Sequence, residues 1–128
     1  MYSVEPVEEN RAFYMHNMRA NGIARDRYTL LEGGLSSDGR PFRVAYNASN
    51  SFGSQRTDGD AAVVVRTTTL DALLAEVGPV DMLKLDCEGC EYEVMFSSRL
   101  LLDPAWVGSF KGEAHGCGCS ATGAQRRD

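Results

Sequence analysis

Apolar and polar positions along the chain change period several times, and each change marks an element. Tyr2 to Glu5 is a short extended run ending in an acid, followed by Pro6 with Glu8 and Glu9. Proline at a first helical position costs no hydrogen bond and acids there suit the helix dipole, so a helix is predicted to open at Pro6. Tyr14, Met15 and Met18 give it one apolar face, and Asn21-Gly22 closes it. Tyr28 to Leu31 reads as a second strand. Gly33-Gly34 and the turn-like Ser36-Ser37-Asp38-Gly39 follow, then a mixed-face strand from Pro41 to Tyr46. Between Asn47 and Asp60 the only large apolar residue is Phe52 among Asn, Ser, Gly and Asp, which predicts a surface loop.

Val63-Val64-Val65 is a β-branched strand signal. Thr68-Thr69-Leu70-Asp71 resembles a capping box, with the acid three residues after the cap. Leu70, Leu73, Leu74 and Val77 then occupy helical spacing, the clearest stripe in the chain, and Gly78-Pro79 ends it. Val80 to Asp86 is a mostly apolar strand interrupted by Lys84. Tyr92, Met95 and Phe96 suggest a further amphipathic helix, Asp103-Pro104 breaks the chain, and Val107 to His115 is the last predicted strand. Strands alternating with helices predict an α/β domain with a mostly parallel sheet, whose ligands bind beyond the carboxyl ends of the strands. Acids and a histidine stand at those ends: Glu5, Asp86 with Glu88, and Glu113 with His115.

Composition narrows the classes. The 128 residues suit one domain, and 43% hydrophobic with 24% charged residues suits a folded globular chain. A net charge of -5 with no basic cluster disfavours nucleic acid. No apolar run reaches membrane-spanning length. Met1 to Pro6 is too short and too acidic for a signal peptide, so a cytoplasmic location is the default expectation. Cysteines fall as Cys87-x-x-Cys90 and Cys117-x-Cys119, and without a secretion signal free thiols or a metal site are favoured over disulfides. Residues 120–128 are expected to be a disordered tail behind a domain spanning 1–119.

Each acid carries a chemical and a plain reading. Glu5, between a strand and a helix, stands where nucleotide-binding α/β folds place a carboxylate for ribose hydroxyls; the plain reading is an exposed acid before a helix. Asp86 and Glu88, two apart, would point to one side of the sheet end, where they can orient a hydroxyl, accept its proton or hold a divalent cation. Alternatively Asp86 caps the next helix and Glu88 or Glu91 serves its first turn. Glu91 and Glu93 read as a solvated helix face. Glu113 and His115 share a strand face near Asp86, and the histidine can serve as a base; the plain reading is a hydrogen-bonded pair at a sheet edge.

Thr69-Leu70-Asp71, the run Leu83-Lys84-Leu85-Asp86-Cys87-Glu88-Gly89-Cys90-Glu91-Tyr92-Glu93-Val94, and Glu113-Ala114-His115 together resemble the FkbM family of S-adenosylmethionine-dependent methyltransferases. Val4-Glu5-Pro6, Asn10, Asn17 and Asn21-Gly22 resemble that family's second strand and following helix. The resemblance implies a Rossmann-like class I sheet and O-methylation of a small molecule or sugar. It further implies cofactor contacts from Glu5 and Leu35, catalytic roles for Asp86, Glu88 and His115, and a substrate contact from Glu113. It places the family's first strand and glycine-rich loop ahead of Val4, where the chain has only three residues, and Gly116-Cys117-Gly118 has no room for a helix after it. The expectation is therefore a partial domain, lacking its central strand and its last strands, that self-associates through open sheet edges. The alternatives are a non-catalytic remnant of the same fold, or a small zinc-binding or interaction module built on the four cysteines with His115 nearby.

Overall fold

The computed structural model describes residues 1–46, 54–56, 63–87 and 89–113. Strand β1 is Tyr2–Glu5, as the sequence predicts, and helix α1 follows at Glu8–Ala20. Pro6 is not its first residue. Val7, with extended φ/ψ of -90° and 126°, is the N-cap, so Pro6 lies one position before the cap and sets the turn into the helix. Glu8 and Glu9 occupy the first turn, and Asn21 with Gly22 at φ 67° ends the helix. The expected apolar face is only partly used, since α1 buries no residue. Tyr14 meets Tyr28 edge to face at 5.6 Å and shares a 2.9 Å hydrogen bond with the Ser3 hydroxyl, while Phe13 and Met15 remain exposed.

A 3-10 turn at Arg25–Arg27 leads into β2, Thr29–Glu32, which runs parallel to β1 from Tyr2 against Thr29 to Glu5 against Glu32. Beyond Gly33 the same extended run continues as β3, Gly34–Leu35. The Gly33 amide donates to Glu5 O and the next amide, of Gly34, to Arg66 O, because successive strand amides point to opposite edges. Gly33 has φ 145°, and a Cβ there would lie 2.9 Å from Arg66 O, so glycine is required at this change of partner.

Strand β4, Phe42–Tyr46, is antiparallel to β5, Ser54–Arg56, on one side and to β6, Val63–Val65, on the other. β5 corrects the expectation of a loop across 47–60. Ser-Gln-Arg carries no apolar signal; its ladder with β4 is main-chain hydrogen bonding, which sequence periodicity does not report. The rest of that stretch lies outside the described residues. Val44 and Val65 bury against Val7, with Phe42 packed beside them, so the three-stranded sheet docks at the start of α1. β7, Thr67–Thr68, then runs parallel to β3.

Helix α2 is Leu70–Val77. Its cap is Thr69, whose Oγ1 accepts from the Ala72 amide at 3.2 Å, one residue later than the capping-box reading. Asp71 consequently serves a different end: its carboxylate accepts from the Ser98 hydroxyl and from the Arg99 and Leu100 amides. The stripe points inward as predicted, with Leu70 and Leu74 in a core completed by Leu85, Cys90, Val94, Leu101 and Val107. The strand expected over Val80 to Asp86 is β8, Leu83–Leu85, preceded by a single bridge from Val80 to Val107. Helix α3 is Glu91–Ser97, and β9, Phe110–Gly112, pairs parallel with β8.

The described residues thus form a mixed α/β structure with four small sheets of two, two, three and two strands instead of one continuous sheet. β1 and β8, whose direct pairing is one way to close a sheet without a central strand, belong to separate sheets. Residues 120–128 lie outside the described residues.

Asp71 ties the start of α2 to the segment after α3. Burial pushes its carboxyl up, but the Ser98 hydroxyl and the Arg99 and Leu100 amides outweigh that and hold it below its ordinary value of 3.8. A depressed carboxyl stabilises the fold above the ordinary value, and the contribution disappears as pH falls through the lower, folded value. Asp71→Ala is expected to remove roughly 1–3 kcal/mol locally. Amide exchange at Arg99 and Leu100 should quicken in the variant at neutral pH, with the difference fading in acid.

Candidate functional site

At the carboxyl end of β1, Glu5 is held by its own neighbours. Its Oε1 accepts the Val7 amide at 2.9 Å and Asn10 Nδ2 at 3.3 Å. The turn through Pro6 makes this geometry, because it brings the first amide before α1 back over the strand end. Arg11 adds a second layer: Nη1 donates to the carbonyls of Glu5 at 3.1 Å and Pro6 at 2.8 Å, and Nη2 lies 3.4 Å from Glu32 Oε1 on the neighbouring strand. The Arg11 guanidinium thus bridges the main chain at the end of β1 to the Glu32 carboxylate at the end of β2. A cleft of about 400 Å³ opens here, lined by Ser3, Val4, Glu5, Asn10, Tyr14 and Asn17 among others. Leu35 is not part of it; it is half-buried and packs against the main core. Arg11 escaped the sequence reading, and its only signal was a position one helical turn beyond Val7.

At the ends of β8 and β9, Leu85 is in register with Gly112, and the Glu113 amide donates to Leu85 O at 3.2 Å. Asp86 and Glu113 thus follow the ends of adjacent parallel strands, as expected from the placement of the neighbouring strand. Lys84 joins them. Its Nζ lies 2.9 Å from Asp86 Oδ2. The hydrogen bond to Asp86 and that carboxylate's charge, with a smaller pull from Glu113, raise the lysine above its ordinary 10.5, so it stays charged. The sequence showed Lys84 only as an interruption in an apolar strand. Glu88 and His115 lie outside the described residues.

Asp86 is not the cap of α3, because the N-cap position falls at Cys90. Glu91 is the larger correction. Read as a solvated helix face, it is 2% exposed, and its two carboxylate oxygens accept the amides of Cys87 and Gly89, each at 2.9 Å. Its position at the head of a short helix turns it back into the loop. Gly89, at φ 109°, permits the tight return.

Cys87 and Cys90 form a disulfide, which corrects the expectation of free thiols or a metal site for this pair. Their Cα atoms are 5.4 Å apart, within bridging distance, because the loop folds back on Glu91. In this state neither sulfur is a thiolate ligand for zinc. Cys117 and Cys119 lie outside the described residues. Among the described residues no group of three or more His, Cys, Asp or Glu side chains is placed to hold a metal ion, and Lys84 takes up the position on Asp86 where a cation would sit. No helix among them is long and apolar enough to cross a membrane.

These features define a mixed α/β protein whose acids stand at the carboxyl ends of parallel strand pairs, the ends where such folds place their ligands. The sequence profile of the methyltransferase FkbM domain matches residues 1–114, and the chain belongs to that family of methyltransferases. No curated protein and no solved structure matches the chain.

Proposed function

We propose that the protein is an S-adenosylmethionine-dependent methyltransferase acting on a hydroxyl of a small molecule or sugar. The observation that carries this reading is the state of Glu5. Its Oε1 is fixed by Val7 and Asn10 while Oε2 has no partner among the described residues, a pre-oriented acceptor at a cleft. That donor set fits a ribose, whose hydroxyls need a charged acceptor in a fixed position.

When bound, S-adenosylmethionine supplies a methyl group on a sulfonium that is already an activated leaving group. The protein's own task is alignment and proton handling. Asp86 and Glu88 orient the substrate hydroxyl, His115 accepts its proton as the oxygen attacks, and Glu113 holds the substrate from the neighbouring strand. Lys84, 2.9 Å from Asp86 Oδ2, fixes that carboxylate in position at the strand end.

Calorimetry and a methyl-transfer assay test the assignment together. Glu5→Ala is expected to weaken cofactor binding by roughly 1–3 kcal/mol, the usual cost of removing a charged hydrogen-bond acceptor. Asp86→Ala should lower turnover more than it lowers cofactor affinity. The opposite pattern would mean that the two strand ends have been given each other's roles. Asn10→Ala, which removes only an orienting bond, should fall between wild type and Glu5→Ala in affinity.

A further inference from the structure

We propose that Cys87 and Cys90 are a reversible thiol–disulfide exchange site that tightens and loosens the loop following Asp86. The cross-link closes only the short span between residues three apart. Loop-closure stabilisation grows with the length of chain enclosed, so this bridge is a weak staple for the fold as a whole. The loop also has a second, non-covalent fastener. Glu91, buried, holds the Cys87 and Gly89 amides through hydrogen bonds that do not involve the sulfurs. Cys90 packs in the core with Leu74, Leu85 and Val94, a setting in which a reduced thiol behaves as a small apolar side chain. Both redox states are therefore compatible with the same fold, which reversible exchange requires.

The two sulfurs are not equivalent. Cys90 is 8% exposed, whereas Cys87 is half-buried and adjoins Asp86. A dithiol reductant attacks Cys87 Sγ through its thiolate, forming a mixed disulfide and expelling Cys90 as a thiolate that takes up a proton. The reductant's second thiol then displaces Cys87, which is protonated in turn. Two electrons and two protons pass to the protein, and the reductant leaves as its disulfide. A small-molecule disulfide such as oxidised glutathione reverses the change. Loosening is felt first at Cys87, one residue from Asp86, so redox state bears on the group read above as catalytic; that link rests on the proposed function.

Trypsin separates the two cysteine pairs, since cleavage after Lys84 and Arg99 gives a peptide of residues 85–99 and cleavage after Lys111 and Arg126 gives residues 112–126. The protein is equilibrated in graded mixtures of reduced and oxidised glutathione, alkylated, digested and weighed. The 85–99 peptide should pass reversibly between a disulfide and a doubly alkylated form, with Cys87 alkylated first on brief exposure and the far-ultraviolet spectrum unchanged. Amide exchange at Cys87 and Gly89 should quicken about tenfold on reduction, because only Glu91 then closes the loop. A pair that stays joined under excess dithiothreitol, never re-forms with oxidised glutathione, or reduces only as the fold is lost overturns the exchange site. Unchanged amide exchange overturns its hold on the loop. Both readouts are independent of methyl transfer: failure to transfer a methyl group in either redox state would count against the proposed function alone.

Discussion

The 128-residue chain, purified alone, is expected to elute as oligomers or aggregates and to unfold over a broad temperature range. The described sheets are of two, two, three and two strands, so among the described residues β1 and β8 each pair on one side only. An unpaired edge presents free amides and carbonyls to any other chain, and nothing in β1 or β8 blunts it beyond the single Lys84. Apolar surface accompanies the edges: Phe13 is 65% exposed, Met82 65% and Phe96 84%. With the core split between a larger cluster around α2 and α3 and a smaller one at Val7, Val44 and Val65, few contacts oblige the parts to melt together. Size-exclusion chromatography with light scattering and calorimetry checks both statements. A monodisperse monomer with one sharp transition would show that these small sheets close well on themselves.

Glu91→Ala should be the most damaging single substitution in the loop after β8. It leaves the Cys87 and Gly89 amides without their acceptor in a part-buried site, at a cost of roughly 2–5 kcal/mol. Because Glu91 is also the first residue of α3, the damage should reach Val94 and Leu101 in the core beyond it. Native-state amide exchange across 87–97 is the appropriate measurement, since it reads local opening even where global melting is broad. Glu91→Gln keeps one acceptor oxygen and should recover part of the loss. Little change in Glu91→Ala would mean that the disulfide alone holds the loop.

What the sequence made legible follows from which forces write a pattern into it. The α2 stripe was readable because burial on one helical face imposes a period, and Leu70 and Leu74 are buried as that period demands. β1 matched its predicted limits, and β2 and β8 lay within a few residues of theirs, because β-branched and aliphatic residues bounded by turn signals leave little choice. β5 was invisible, since its residues pair with β4 through the main chain and the run Ser-Gln-Arg carries no apolar pattern. The corrections at Pro6 and Thr69 are shifts of two positions and one, the scale at which competing caps differ by little. Glu5, Asp86 and Glu113 stand at strand ends as expected, because strand ends are readable. Glu91 was missed because its role depends on a backbone turn that periodicity does not encode, whereas Lys84 meets Asp86 two residues along its own strand, a pairing that the period of two allows. The Cys87–Cys90 bridge departs from expectation for a different reason: the expectation rested on compartment, whereas bridging depends on whether the loop brings the two Cα atoms close enough.

Residues 36 to 67 leave the strand ends and return to almost the same point. Gly34 is in register with Thr67, Ser36 and Thr67 share a 3.1 Å hydroxyl contact, and Thr67 Oγ1 also donates to Arg40 O at 2.8 Å. The excursion containing β4, β5 and β6 is thus stitched shut at its neck, with its ends as close as those of a hairpin. A segment closed in this way is a natural cassette: its length and outer sequence can vary, or be exchanged for another hairpin, while β1, α2 and β8 keep their places. The limit on such grafting is set by one small patch, because any replacement must still cover Val7, the residue that starts α1 and donates its amide to Glu5.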